Sequence, residues 1–284
     1  MVSEDGKPKK NGGKKRHHGH HGHHGHHFTG KEAETMSIFN RAKRYTTPGG
    51  QVYRLFNEMA AQHNLLVAGE VGSGKSCVMN SIVYNLLHNG PGENKFIFID
   101  PKWTEFRDYE ALPHTLQYAC ENDEIIAALQ RVVAIMNERK ADMQRRRIRT
   151  YDGTVLYVFI DELAQIMLTM KKTAKPLLQQ ILQTGRALGI KVIAGTQCPL
   201  ASVIATELRV NFTGVVGLRT ATAQHSRNII GATGCELLPD PKYAGKAQGF
   251  FQHGGNTQLW NIPRYTDDQH KTILDWWTSK KCLA

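Results

Sequence analysis

Short runs of uninterrupted apolar residues punctuate this chain and carry its fold. Leu65–Ala68, Phe96–Ile99, Val155–Ile160 and Lys191–Gly195 are apolar nearly throughout instead of alternating. That pattern predicts strands covered on both faces, as in a parallel sheet between helix layers. Val215–Leu218, Gly249–Gln252 and Gln258–Ile262 predict further strands. Helical spacing takes over elsewhere. Ile125, Ile126, Leu129, Val132, Val133 and Met136 line one face of a long helix expected to start at Asn122 as N-cap, with Asp123 and Glu124 in its first turn. Leu177–Ala187 predicts a second amphipathic helix. Thr266-Asp267-Asp268 predicts the cap of a last short one bearing Ile273, Leu274, Trp276 and Trp277. The fold class is α/β, with a mainly parallel central sheet flanked by helices.

The chemistry gathers where these strands end. Gly69-Glu70-Val71-Gly72-Ser73-Gly74-Lys75-Ser76 follows the first strand and precedes a helix-forming stretch opened by Cys77. That strand, glycine loop, helix order is what a nucleotide's phosphates require: glycines let backbone N–H groups close around the anion, and the helix points its positive end at it. Lys75 is expected to reach the β- and γ-phosphate oxygens and Ser76 to hold Mg²⁺. A glycine-rich surface turn is the plain alternative. Val155–Ile160 runs into Asp161-Glu162, the form of a strand-end acid pair in which Asp161 serves the Mg²⁺ shell and Glu162 orients and deprotonates the attacking water. Phe96–Ile99 likewise runs into Asp100-Pro101-Lys102. The Asn-Lys-x-Asp segment that reads guanine is absent, so ATP is the expected nucleotide. Lys191–Gly195 ends in Thr196-Gln197, which places Gln197 as a γ-phosphate sensor or as a satisfied polar residue. Arg186, after the amphipathic helix and before Gly189, is placed for presentation to a neighbouring subunit's γ-phosphate, or to close its own helix end by a salt bridge. Arg227 is a second interface candidate. The stretch from Tyr53 to Met59 is a candidate to pack beside the base.

Several of these stretches together resemble the motor domain of the FtsK/SpoIIIE DNA translocases, within the FtsK–HerA group of ring ATPases. They are LLVAGEVGSGKS at 65–76, FIFIDPKWTEF at 96–106, LPHT at 112–115, VFIDELAQIM at 158–167, QTGRALGIKVIAGTQCP at 183–199 and SRNIIGATGCELL at 226–238. The resemblance implies a RecA-like P-loop ATPase using ATP and Mg²⁺, a homo-oligomeric, hexameric ring, double-stranded DNA as partner, and Arg186 as the residue completing a neighbour's site. The chain departs from the family pattern at three places. Cys198-Pro199 replaces Arg-Pro, Gln165 stands where an acid is common, and Gly245-Lys246-Ala247-Gln248-Gly249 replaces Gly-Asp-Met-Leu. These mark a diverged relative of the kind carried by plasmids, integrative elements and phages, with a relaxase, replication initiator or capsid component as partner in transfer or packaging.

Composition sharpens this only modestly. Lys and Arg number 36 against 25 Asp and Glu, a formal charge of +11, which suits a polyphosphate partner. Residues 1–30 contribute six Lys or Arg against two Asp or Glu, so most of the excess lies in the rest of the chain. Eight of the 14 histidines fall within 17–27. Residues 1–35 are therefore expected to be a disordered basic tail, whether a purification segment, a metal- or DNA-touching tail or a solvated leader. The motor is expected over 36–265, its connector carrying Arg41, Lys43, Arg44 and the turn Pro48-Gly49-Gly50, and a C-terminal helix over 266–284. Arg145-Arg146-Arg147-Ile148-Arg149 closes the long helix as either a dipole-matched solvated end or a contact with DNA or a neighbouring subunit. Five dispersed cysteines (Cys77, Cys120, Cys198, Cys235 and Cys282) argue against a disulfide or zinc framework. With no apolar run long enough to span a bilayer and no leader pattern, the expectation is a cytoplasmic protein. A second reading from a different class is a nucleotide-dependent adaptor that binds ATP and DNA and recruits a replication or conjugation protein without sustained translocation.

Overall fold

The computed structural model describes residues 52–197, 204, 206–262 and 266–281. The basic tail, the Pro-Gly-Gly turn of the connector, Cys198-Pro199 and the expected boundary between 35 and 36 lie outside the described residues.

Helix α1 (Val52–Ala61) leads into β1 (Asn64–Ala68), the glycine loop and α2 (Lys75–Leu86). Next come β2 (Asn94–Ile99), β3 (Thr115–Ala119), α3 (Asn122–Arg146) and β4 (Val155–Ile160). Helices α4 (Leu163–Thr169) and α5 (Lys171–Thr184) precede β5 (Ile190–Thr196). The remaining elements are α6 (Thr206–Arg209), β6 (Gly214–Leu218), α7 (Ala223–Ile230), α8 (Pro241–Ala244), β7 (Ala247–His253), β8 (Asn256–Ile262) and α9 (Asp267–Lys281).

All eight strands form one sheet in the order β3-β2-β4-β5-β1-β6-β7-β8. The first six run parallel; β6–β7 and β7–β8 are antiparallel. The unbroken apolar strands are explained by burial on both faces. Alternate residues of β4 point into different cores: Leu156, Val158 and Ile160 pack with α3, α4 and α5, whereas Tyr157 and Phe159 face α1, α2 and an aromatic group of Phe96, Phe98, Phe106 and Tyr109. Because β1, β4 and β5 are parallel and β5 lies between the other two, their carboxyl ends open on one edge.

The structure moves several predicted boundaries. β3 was not foreseen from LPHT. The long helix starts after Glu121, and the Glu124 carboxylate accepts from the N–H groups of Cys120 and Glu121 at 3.0 and 3.1 Å. The helix expected over Leu177–Ala187 spans Lys171–Thr184, and Arg186–Leu188 form a separate 3₁₀ turn. Leu55, Phe56 and Met59 of α1 are buried in the core cluster that also holds residues of α2. The paired tryptophans dock on their own domain: Trp277 Nε1 donates to the Leu87 carbonyl at 3.0 Å and its ring meets His114 edge-on.

Candidate active site

The glycine loop turns between β1 and α2 because its backbone visits conformations closed to most side chains. Gly74, the residue before α2, sits at φ 102°, and a Cβ there would lie 2.8 Å from the Ala247 Cβ. Loop ends are tied down by backbone bonds from Gly69 N to Thr196 O at 3.2 Å and from Glu70 N to Arg219 O at 3.0 Å. The Arg219 guanidinium, at the end of β6, pairs with Glu70 and lies 3.4 Å from Asp240. That clamp was not anticipated; an arginine ending the strand beside the loop was its only sequence signal. Val71 is exposed at the loop tip, whereas Ser73 is buried with no hydrogen-bond partner for its hydroxyl. Such an orphaned polar atom inside an anion cradle fits a ligand-binding role.

A cavity of about 800 Å³ opens over this loop. Glu70, Gly72, Gly74, Lys75, Ser76 and Cys77 line its floor, Gln197 one side, and Lys246, Asn261 and His270 from the last strands and helix the opposite side. These last residues were not foreseen as site residues.

Lys75 crosses beneath β5 to β4. Its Nζ donates to the Asp161 carboxylate and, at 3.0 Å, to the Asp161 carbonyl, and both side chains are almost fully buried. Gly195 of β5 makes room for this crossing: a Cβ there would stand 3.1 Å from Lys75 Cδ and collide with the Asp161 carbonyl.

Glu162 is held from the neighbouring strand end. Thr196 Oγ1 donates to Oε1 at 2.9 Å, and the Gln197 N–H lies 3.0 Å from each carboxylate oxygen. Lys102 Nζ is 3.5 Å from Oε2. The sequence's acid pair, loop lysine and strand-end glutamine thus converge on one edge of the sheet.

The second acidic strand end has a different role from a metal-facing carboxylate. Asp100 is fully buried, and its Oδ2 accepts from the N–H groups of Glu105 and Phe106 at 2.8 and 3.0 Å and from Tyr118 OH at 3.2 Å. It fixes the turn that follows β2. That turn delivers Glu105 to the loop, where its Oε2 accepts from Ser76 Oγ at 2.5 Å. Burial and the nearby Asp161 charge push the Glu105 carboxyl above the usual range, against the Ser76 hydrogen bond, the Lys75 charge and the Asn80 hydrogen bond.

Arg186 does not join its own site. It is exposed at the start of the 3₁₀ turn before β5, near His63 at the entry to β1. Strand β5 separates it from Gln197 by roughly 20 Å at about 3.3 Å per residue. Arg227 is exposed on α7. In the basic helix end, Arg145 and Arg146 bond Asp142, and Arg146 also engages Asp152 at 2.6–2.8 Å, so these two are satisfied within the chain.

Among the described residues no group of three or more His, Cys, Asp or Glu is gathered to hold a metal. Ser76 lines the cavity and Asp161 lies buried behind it, bonded to Lys75; both are hard oxygen donors, which suits a cation that keeps water and phosphate oxygens as its other ligands. Among the described residues, no helix is long and apolar enough to cross a membrane.

Comparison with known proteins agrees with this geometry. Residues 46–157 match the family model described as FtsK/SpoIIIE family. The DNA translocase FtsK of Helicobacter pylori is 32% identical over 235 residues, 77% of this chain and 27% of that protein. The DNA translocase FtsK of Staphylococcus aureus is 35% identical over 204 residues, 64% of this chain and 25% of that protein. The chain therefore spans about a quarter of the length of these relatives. In fold it is similar to the pCW3 conjugation coupling protein TcpA (TM-score 0.64, 24% identity, 75% of this chain and 64% of that one). It is also similar to the cytoplasmic domain of the Thermomonospora curvata type VII secretion ATPase EccC (TM-score 0.64, 18% identity, 76% and 28%). Together with the glycine loop and the parallel sheet, these likenesses make the fold that of a P-loop ATPase.

Proposed function

We propose that this chain, which carries an FtsK/SpoIIIE-family domain, hydrolyses ATP in an oligomeric ring and uses the energy to move double-stranded DNA. The observation that carries the reading is the convergence at the strand ends of Asp161, bonded to Lys75, and Glu162, bonded to the Gln197 N–H, where Lys75 and Gln197 themselves line the cavity above the glycine loop.

ATP binds with its phosphates on the loop and the first turn of α2, where N–H groups lack intrahelical partners. Lys75 exchanges Asp161 for the β- and γ-phosphate oxygens. Ser76 and Asp161 would hold Mg²⁺, which supplies neutralising charge on the phosphates when bound. Glu162, aimed by Thr196 and the Gln197 N–H, orients the attacking water and takes its proton, and the Gln197 side chain senses the γ-phosphate. Arg186, far from its own site, is presented to an adjoining protomer and stabilises charge on that protomer's transferring oxygens. A hexameric ring and a role in transfer or packaging of a mobile element's DNA extend the same reading, with a relaxase, replication initiator or capsid component as partner, in the cytoplasm. The basic balance of the chain favours DNA as the polymer moved.

The test pairs ATP hydrolysis with displacement of a third strand from duplex DNA. A translocase hydrolyses ATP faster with duplex DNA and strips the triplex. An adaptor that only binds ATP and DNA hydrolyses little and displaces nothing.

A further inference from the structure

The turn after β2 brings to the glycine loop a carboxylate that the assignments above leave unused. Glu105 is half-buried, its Oε2 accepting from Ser76 Oγ at 2.5 Å and its Oε1 from Asn80 Nδ2 at 2.6 Å. Both partners are neutral, and among the described residues no cation stands within ion-pair distance of Glu105. Withdrawing a carboxylate from water beside Asp161, whose repulsion the more distant Lys75 ammonium offsets only in part, is costly unless a closer positive partner arrives.

The backbone invests in this placement. Asp100 Oδ2 holds the N–H of Glu105 itself, the Trp103 N–H returns to the Asp100 carbonyl at 2.9 Å, and Trp103 accepts the left-handed φ of 56° to close the turn. On the far side Tyr109 OH donates to Asn80 Oδ1 at 2.6 Å and lies 3.3 Å from the His270 ring. A continuous chain of hydrogen bonds therefore runs from the loop serine through Glu105, Asn80 and Tyr109 to α9. The half-buried carboxylate is fixed from both sides with one oxygen on the hydroxyl expected to meet the cation.

We propose that Glu105 is a further oxygen donor of the divalent-cation site and that its hydrogen bond to Ser76 is the metal-free form of that site. The inference rests on the nucleotide reading of the loop. Arrival of Mg²⁺ with the nucleotide would take over the Ser76 hydroxyl and leave Glu105 Oε2 to face the cation or one of its waters, giving the carboxylate a positive partner closer than Lys75. Hard oxygen donors and a largely hydrated cation match what Mg²⁺ accepts from proteins. Glu105 also repels phosphate when no cation is present, so the site favours the Mg²⁺ complex over bare nucleotide.

The experiment is a titration of the full chain and of Glu105→Gln with a fluorescent ATP analogue, in Mg²⁺ and in EDTA. For the parent, Mg²⁺ tightens binding. For Glu105→Gln the ratio of the two dissociation constants falls at least tenfold, because bare nucleotide binds as well or better while the Mg²⁺ complex binds worse. A loss of packing alone lowers both affinities together and keeps the ratio; an unchanged ratio, within threefold, overturns the proposal. Should Glu105→Gln not fold, Glu105→Asp keeps the charge but shortens the reach, and the same fall or constancy of the ratio decides. A parent chain that binds no analogue in either buffer sinks the nucleotide reading and this inference with it. Normal parent behaviour with an unchanged variant ratio sinks only the role of Glu105.

Discussion

Lys75 Nζ donates to both the carboxylate and the main-chain carbonyl of Asp161, linking the helix that begins the glycine loop's exit to a strand two places away in the sheet. Both side chains are almost fully buried. The two groups expected to grip phosphate and cation therefore neutralise each other until a nucleotide competes for the lysine.

Removing one member of such a pair leaves an uncompensated buried charge. Lys75→Ala is expected to lower the unfolding free energy of the nucleotide-free chain by about 3–5 kcal/mol, and Lys75→Met with Asp161→Asn to regain most of it without restoring ATP hydrolysis. Denaturant titration checks the first part and a phosphate-release assay the second. A Lys75→Ala chain as stable as its parent would show that the pair carries no such weight.

Glu162→Gln keeps an oxygen for the Thr196 hydroxyl and the Gln197 N–H, so the site should hold its shape. The expected outcome is ATP hydrolysis slower by about 10²–10⁴-fold with analogue affinity changed only a few-fold. Affinity falling in step with rate would make Glu162 a structural residue.

Arg186 lies at the opposite end of β5 from Gln197, so the catalytic role proposed for it requires a subunit boundary. Mixing Lys75→Ala with Arg186→Ala chains should recover part of the hydrolysis that either lacks alone, because mixed assemblies rebuild some complete sites. A mixture no more active than its components counts against the shared site.

His114 gives the chain an acid-sensitive core. Its ring stacks on Phe96, meets Trp277 edge-on at 4.5 Å and donates from Nε2 to the Asn89 carbonyl at 2.9 Å, while Nδ1 is buried without a partner. Burial holds its pKa down at about 4, against an ordinary 6.5. Between those values the unfolded chain carries a proton that the folded chain refuses, so stability falls as pH drops from 6.5 to about 4, by about 3 kcal/mol in all from this group. Thermal melts across that window should steepen for the parent and flatten for His114→Phe. An equal slope in both would exclude His114 as the cause.

Much of the fold was legible because the burial of strands on both faces writes itself as unbroken apolar runs. The site's main residues were legible because phosphate chemistry demands glycine, lysine and acids at strand ends. What stayed hidden depends on contacts distant in sequence. Asp100 reads like a second metal-facing acid, yet it spends its carboxylate on the backbone of Glu105 and Phe106, which only the path of the turn reveals. Glu105 stood in the quoted stretch FIFIDPKWTEF with no local signal separating it from a solvated charge. Strand β3 was missed because Thr115–Ala119, with Gln117 and an edge position, lacks the continuous apolar character of its neighbours.

The most direct measurement is a structure of Glu162→Gln crystallised with ATP and Mg²⁺. The account predicts a triphosphate wrapped by residues 69–76, with Lys75 Nζ drawn off the Asp161 carboxylate to within about 3 Å of a β- or γ-phosphate oxygen. A triphosphate bound elsewhere, or one bound on the loop with Lys75 still held by the Asp161 carboxylate, would contradict it.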